Sequence, residues 1–208
     1  MKTEIVSIMA VCFCALSAPP AKAAIVTIEI EAEIYSVSDP YNFFEGNIKV
    51  GDIIKGTYSY DTSTPDSEPL GYAGLYEHHN PTAGISLNIG DFNFRTDPDN
   101  VDFVVAILND YLPSKKDQFW MRSYNNLPLP SGVAVDGISW QLDENFGNAI
   151  SGTALPTDPL VLDDWQENIL SFGSDRRYGI FAHVTSAVPE PSTILLFGLG
   201  GLFLRKRG

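Results

Sequence analysis

Cysteine is almost missing from this chain: its 208 residues hold only Cys12 and Cys14. Both lie in a leading stretch with the marks of a removable signal, so the domain that follows has no thiol. That excludes disulfides, a Cys nucleophile and a thiolate metal site, and leaves stability to the core. Positive charge is also scarce. Of 13 Lys and Arg, five (Lys2, Lys22, Arg205, Lys206, Arg207) sit in the two end segments, whereas of 26 Asp and Glu only Glu4 and Glu190 do. The domain between them keeps 8 basic against 24 acidic side chains, a formal charge of −16. Such a surface repels nucleic acid and anionic lipid, whose binding is driven by Lys and Arg displacing counterions. It attracts cations, Ca²⁺ first among extracellular ones.

Catalytic signatures are absent as well. There is no Gly-x-Ser-x-Gly elbow, no Gly-rich phosphate loop and no His-Glu-x-x-His helix. Three histidines remain. Glu77-His78-His79 reads as a solvated loop, and adjacent side chains on extended backbone point opposite ways. His183 falls on the outward face of the last strand. A glycosidase needs two carboxylates at a defined separation across a cleft, and no pair stands out among 24 acids. No catalytic residue is assigned, and the expectation is a protein that is not an enzyme.

The two ends carry addresses. Lys2 gives a positive n-region, Ile5 to Leu16 an apolar h-region, and Ala21-Lys22-Ala23 a small-x-small site, the pattern of a signal peptide over residues 1–23 read by the Sec translocon and signal peptidase. At the other end, residues 188–208 join three segments. Val188-Pro189-Glu190-Pro191 is stiff and extended, because each proline fixes its own φ and biases the residue before it. An uncharged run follows with Ile194, Leu195, Leu196, Phe197, Leu199, Leu202, Phe203 and Leu204, and then Arg205, Lys206 and Arg207. Basic residues after an apolar run stay on the cytoplasmic side. The run is about half of the roughly 20 residues a stable span needs, which argues against a permanent anchor.

This order of motif, apolar run and basic end resembles the PEP-CTERM sorting signal of Gram-negative bacteria, which exosortase, a membrane protease-transpeptidase, recognises. The resemblance implies exosortase as processing partner, with Val188 to Pro191 as substrate residues. It also implies transient inner-membrane association, then a place at the cell surface or in the extracellular matrix. The stretches Gly51 to Ser67 and Leu155 to Asp164 also look like the ectodomain of many such proteins.

Residues 24–187, about 164 of them, fit one domain. Val26, Ile28, Ile30, Ala32 and Ile34 alternate with Thr27, Glu29, Glu31 and Glu33, the period of a half-buried strand. Further strands are expected over 52–60, 101–108, 118–124, 133–142, 169–172 and 178–185, with a hairpin over 84–94 turning at Gly90-Asp91. Residues 61–69 read as a loop, and Leu160 to Asn168 as one helical turn with Asp163 or Asp164 as N-cap. The fold class is all-β, an antiparallel β-sandwich of which a jelly roll is one form.

Two ligands are candidates. Asp97, Asp99 and Asp102 fall within one turn, as hard cations such as calcium prefer, although Asp and Pro98 also serve turn chemistry. Otherwise no cofactor is expected. Sugars stack on exposed aromatic rings, and Tyr41, Phe43, Phe44, Tyr72, Tyr76, Trp120, Trp140 and Trp165 are available, most of them for the core. Tyr72, Tyr76 and Trp165 are the ones expected at the surface. The function expected is a structural or adhesive surface protein linked to exopolysaccharide or biofilm. The alternative is a carbohydrate-binding or calcium-dependent module.

Overall fold

The computed structural model describes residues 25–68 and 70–190. Ten strands run along them: β1 (Ile25–Ser38), β2 (Ile53–Asp61), β3 (Ala73–His78), β4 (Gly84–Ile89), β5 (Phe92–Arg95), β6 (Phe103–Tyr111), β7 (Lys116–Ser123), β8 (Gly137–Glu144), β9 (Glu167–Ser174) and β10 (Tyr178–Pro189). They form a single antiparallel sheet in the order β3-β6-β7-β8-β9-β10-β1-β2-β4-β5. The expected all-β antiparallel architecture is present, and its two layers are the two halves of one curled sheet. Ring contacts record the curl. Tyr58 on β2 lies 5.6 Å from Trp140 on β8, and Phe94 on β5 lies 4.7 Å from Phe172 on β9, although several strands separate each pair in the ladder order.

Alternation decides which side chains enter. On β1, Val26, Ile28, Ile30, Ala32 and Ile34 are buried while the Thr and Glu positions between them reach the outside, where Glu31 pairs with Lys55 at 2.9 Å. Trp140 sits at the centre, fully buried against Tyr58 and Phe119, with its Nε1–H donating to Asn168 Oδ1 at 2.9 Å. Phe44, from the loop after β1, plugs one end, with edge contacts to Phe92, Phe94 and Tyr178. Hydrogen bonds hold the open side where Asp97 N–H reaches Asn125 O, Leu127 N–H reaches Arg95 O, and the Thr96 hydroxyl donates to Ser123 Oγ.

Two expectations change. The region of Tyr76 and His78 is strand β3 on the sheet edge, not a loop. Its inward positions are Gly74, Tyr76 and His78, which carry no aliphatic signal. Gly74 is required because a Cβ there would stand 2.6 Å from Thr153 O, the same carbonyl that accepts the Tyr76 hydroxyl at 2.8 Å. The helical turn shrinks to a 3₁₀ turn over Leu162–Asp164, capped by Val161 with no side-chain hydrogen bond. Burial of Trp165 and pairing of the chain from Glu167 onward with β8 draw it out of helix.

His78, 1 % exposed, has Nδ1 3.0 Å from the Thr64 hydroxyl and Nε2 without a partner. Burial outweighs the nearby Asp61 carboxylate and pushes the imidazole pKa down to about 4. The folded domain therefore binds fewer protons than the unfolded chain between that value and the ordinary 6.5. Stability accordingly falls as pH drops through this window, by up to about 3 kcal/mol. Urea unfolding of a His78→Phe variant is expected to lose that slope while keeping the steeper loss below pH 4 from its carboxylates. In the same assay at neutral pH, Trp140→Ala is expected to cost about 3–5 kcal/mol through the cavity it leaves.

Candidate functional site

The outer face of β7, β8, β9 and β10 carries the most developed site. Phe119, Met121 and Ser123 of β7 point inward, so Gln118, Trp120 and Arg122 reach the outside. On β8 and β9 the same parity exposes Gly137, Ser139 and Gln141, and Ile169, Ser171 and Gly173. Strand register then lines three glycines up across the sheet, Gly137 opposite Gly173 and Gly173 opposite Gly179. The next row reads Arg122, Ser139, Ser171, Phe181, and the one after it Trp120, Gln141, Ile169. Three glycines, one on each of three neighbouring strands, beside a pair of serines, leave a groove of about 560 Å³, within the range of small-ligand sites.

Its walls differ in chemistry. On one side stand Trp120 and Arg122. On the other, Phe181, 38 % exposed, begins an aromatic band in which Tyr35 lies 6.3 Å from it and His183 stacks on Tyr35 at 4.3 Å. Gly173 is structurally required, because a Cβ there would collide with Tyr178 O, whereas one on Gly137 would lie 3.2 Å from the movable Arg122 Nη2. The guanidinium of Arg122 therefore lies over the glycine floor. It stands 4.7 Å above the Tyr124 ring, and its buried Nε finds no acceptor among the described residues. Among the described residues the ion pairs are Lys55–Glu31 and Lys116–Asp143, so Arg122 belongs to neither. Asp136 lines the rim and accepts from Asp175 N–H and the Ser174 hydroxyl, both at 2.7 Å. These bonds hold its carboxyl below the usual range.

Buried acids gather at the far end of β7 and β8, and their bonds give them a structural task. Asp117 accepts from Asp110, Ala149 and Ile150 N–H groups. Glu144 accepts from Phe146 and Asn148 N–H. Burial alone raises the Glu144 pKa, but the backbone donors outweigh it and the net shift is downward. Asp143 is bound by Gln118, Gln141 and Lys116. Asp117 and Glu144 thereby hold the loop after β8 to the sheet, while Asp143 ties side chains of β7 and β8 together.

The residues singled out in the sequence are distributed as follows. Asp97 Oδ1 accepts Asp99 N–H at 3.0 Å, Asp97 O accepts Asn100 N–H, and Asp102 O accepts Tyr124 N–H. Among the described residues no group of three or more His, Asp or Glu converges as a metal-ligand set. Of the aromatics expected outside, Tyr72 is exposed, whereas Tyr76 and Trp165 are buried. Trp120 and Phe181 are the groove aromatics, a distinction visible only once β7 and β10 are in register. Val188 and Pro189 are the last residues of β10, and Glu190 N–H donates to Thr27 O at 3.2 Å. Ala21, Ala23, Pro191, the apolar run Ile194 to Leu204 and Arg205 to Arg207 lie outside the described residues. No helix among the described residues is long and apolar enough to cross a membrane.

Residues 187–207 match the family model of the PEP-CTERM protein-sorting motif. No curated protein and no solved structure matches the chain. The match spans the motif, the apolar run and the basic cluster in the order the sequence presents them. The chain thus carries a PEP-CTERM sorting motif, the recognition signal of exosortase, which implies an exported protein destined for the cell surface or the extracellular space.

Proposed function

We propose that the exported domain is a structural and adhesive surface protein that engages exopolysaccharide through the groove on β7 to β10, and that it acts as a binding protein rather than an enzyme. The Sec translocon and signal peptidase act first in this reading, with transient inner-membrane association before exosortase processing. One observation carries the binding role: the aligned Gly137, Gly173 and Gly179 clear a floor between Trp120 and Phe181, beside an Arg122 whose Nε lacks an acceptor. A pyranose ring offers an apolar face that packs on aromatic rings and hydroxyls that accept from a guanidinium and exchange hydrogen bonds with serine. A polymer needs an open groove rather than a closed pocket, and a bare glycine floor lets it lie close to the backbone.

Exopolysaccharide isolated from the host is the ligand to test. Trp120→Ala and Arg122→Ala are each expected to weaken binding of the purified domain by about 2 kcal/mol, or roughly 30-fold, in calorimetry. Unchanged affinity in both variants sinks the groove. Chelation with EGTA is expected to leave binding intact, because no groove contact in this reading calls for a cation. For the sorting route, the intact mass of protein recovered from host cells is expected to end near Pro189. In an Arg205/Lys206/Arg207→Ala variant it is expected to retain the tail.

A further inference from the structure

The sorting motif does not begin where the folded domain stops. Ser186, Ala187, Val188 and Pro189 of β10 pair with Glu31, Ile30, Glu29 and Ile28 of β1, and Glu190 N–H adds one more bond to Thr27 O. The partner strand is firmly held, since β1 pairs along its other side with β2 from Ile25 to Glu33 and buries Ile28 and Ile30 in the core. The last rungs of β10 are held differently. Its ladder with β9 stops at Ala182 and Leu170, and the Asn168 side chain takes over both the N–H and the carbonyl of Val184. Beyond that point the register with β1 slips at Thr185, so that Glu31 faces Ser186 while Ala32 faces Val184. Such a bulge interrupts the ladder and marks off the rungs beyond it. Val188 is 45 % exposed and adds little burial to hold them.

A processing enzyme must grip its substrate as an extended segment with free backbone groups. In the folded domain one edge of that segment is already bonded to β1. We infer that the rungs beyond Thr185 form a clasp that masks the sorting motif, and that exosortase acts only after this clasp peels from β1. Peeling the end of a strand that is paired on one side takes less free energy than unfolding the sheet. When such opening is fast, cleavage follows the population of the open form. Thr27 to Glu29 are then positioning residues for processing without touching the enzyme. They are also among the first residues after the expected signal-peptide cut, so the start of β1 and the end of β10 lie side by side at one corner of the sheet. This inference is independent of the glycan groove.

A disulfide across the clasp tests it in the full chain expressed in its own host. Glu29 and Val188 are direct partners on adjacent antiparallel strands, a spacing compatible with a bridge. The chain's own cysteines both lie within the expected signal peptide. In a Glu29→Cys/Val188→Cys variant, oxidation is expected to abolish processing, read as an intact mass that keeps the tail. A membrane-permeant reductant is expected to restore processing to the rate of the Val188→Cys single variant, which carries the same change in the motif without the bridge. A second variant leaves the motif untouched: Glu29→Gly weakens the partner strand and is expected to speed processing several-fold in a pulse-chase. Bridged protein processed as fast as its reduced form, or a Glu29→Gly rate equal to wild type, overturns the clasp.

Discussion

The packing of Trp140 against Tyr58 is the contact on which the rest of the structure depends. It joins β8 to β2 across the concavity of a sheet in which β9, β10 and β1 lie between them. A flat ten-stranded sheet would leave one face of aromatic and branched side chains in water; curling until the halves meet buries that face with no second sheet. Trp140 is suited to the place because its ring fills the interior while its N–H reaches Asn168. That same Asn168 extends to Val184 of β10. One side chain thus ties the centre of the core to the strand that leads into the sorting motif.

The curl also divides labour between the two faces. The inside needs bulk, and it takes Trp140, Tyr58, Tyr60, Phe94 and Phe119. The outside of β7 to β10 carries glycine and serine over two rows, a composition that contributes little to strand stability. In a domain without disulfides, such a row persists where close backbone approach or a ligand needs it. Close approach accounts for Gly173 at Tyr178 O. The open space above the row is the part the proposed glycan role uses. The acidic residues follow a similar division: many lie outside, Asp117 and Glu144 turn inward to bind backbone donors at one end, and Asp143 is covered on the outer face by Gln118, Gln141 and Lys116.

Location and architecture meet at β10. The strand is both the wall of the groove, through Phe181, and the lead into the sorting motif, through Val188 and Pro189. Its first half is bonded on two sides and its last rungs on one, with the Thr185 bulge between them. A strand graded in this way is held on both sides where it walls the groove, and its end opens at less cost than its first half.

The sequence by itself determined whatever depends on neighbouring residues alone: the alternation of β1, the β4–β5 turn at Gly90-Asp91, the surplus of acid and the order of motif, apolar run and basic cluster. These signals are local, set by a period of two, by turn chemistry or by composition. Tertiary structure decided the rest. β3 was illegible because Gly74, Tyr76 and His78 face inward with no aliphatic periodicity, and their burial comes from Thr153 and Phe103 elsewhere in the chain. Trp120 and Trp140 look alike in sequence, yet strand parity sends one to the groove and the other to the core. Gly137, Gly173 and Gly179 become a floor, and Thr27 a partner of Glu190, only through pairing register. Register between distant strands is chosen by which faces the whole curled sheet can bury together, and no local window of residues contains that choice.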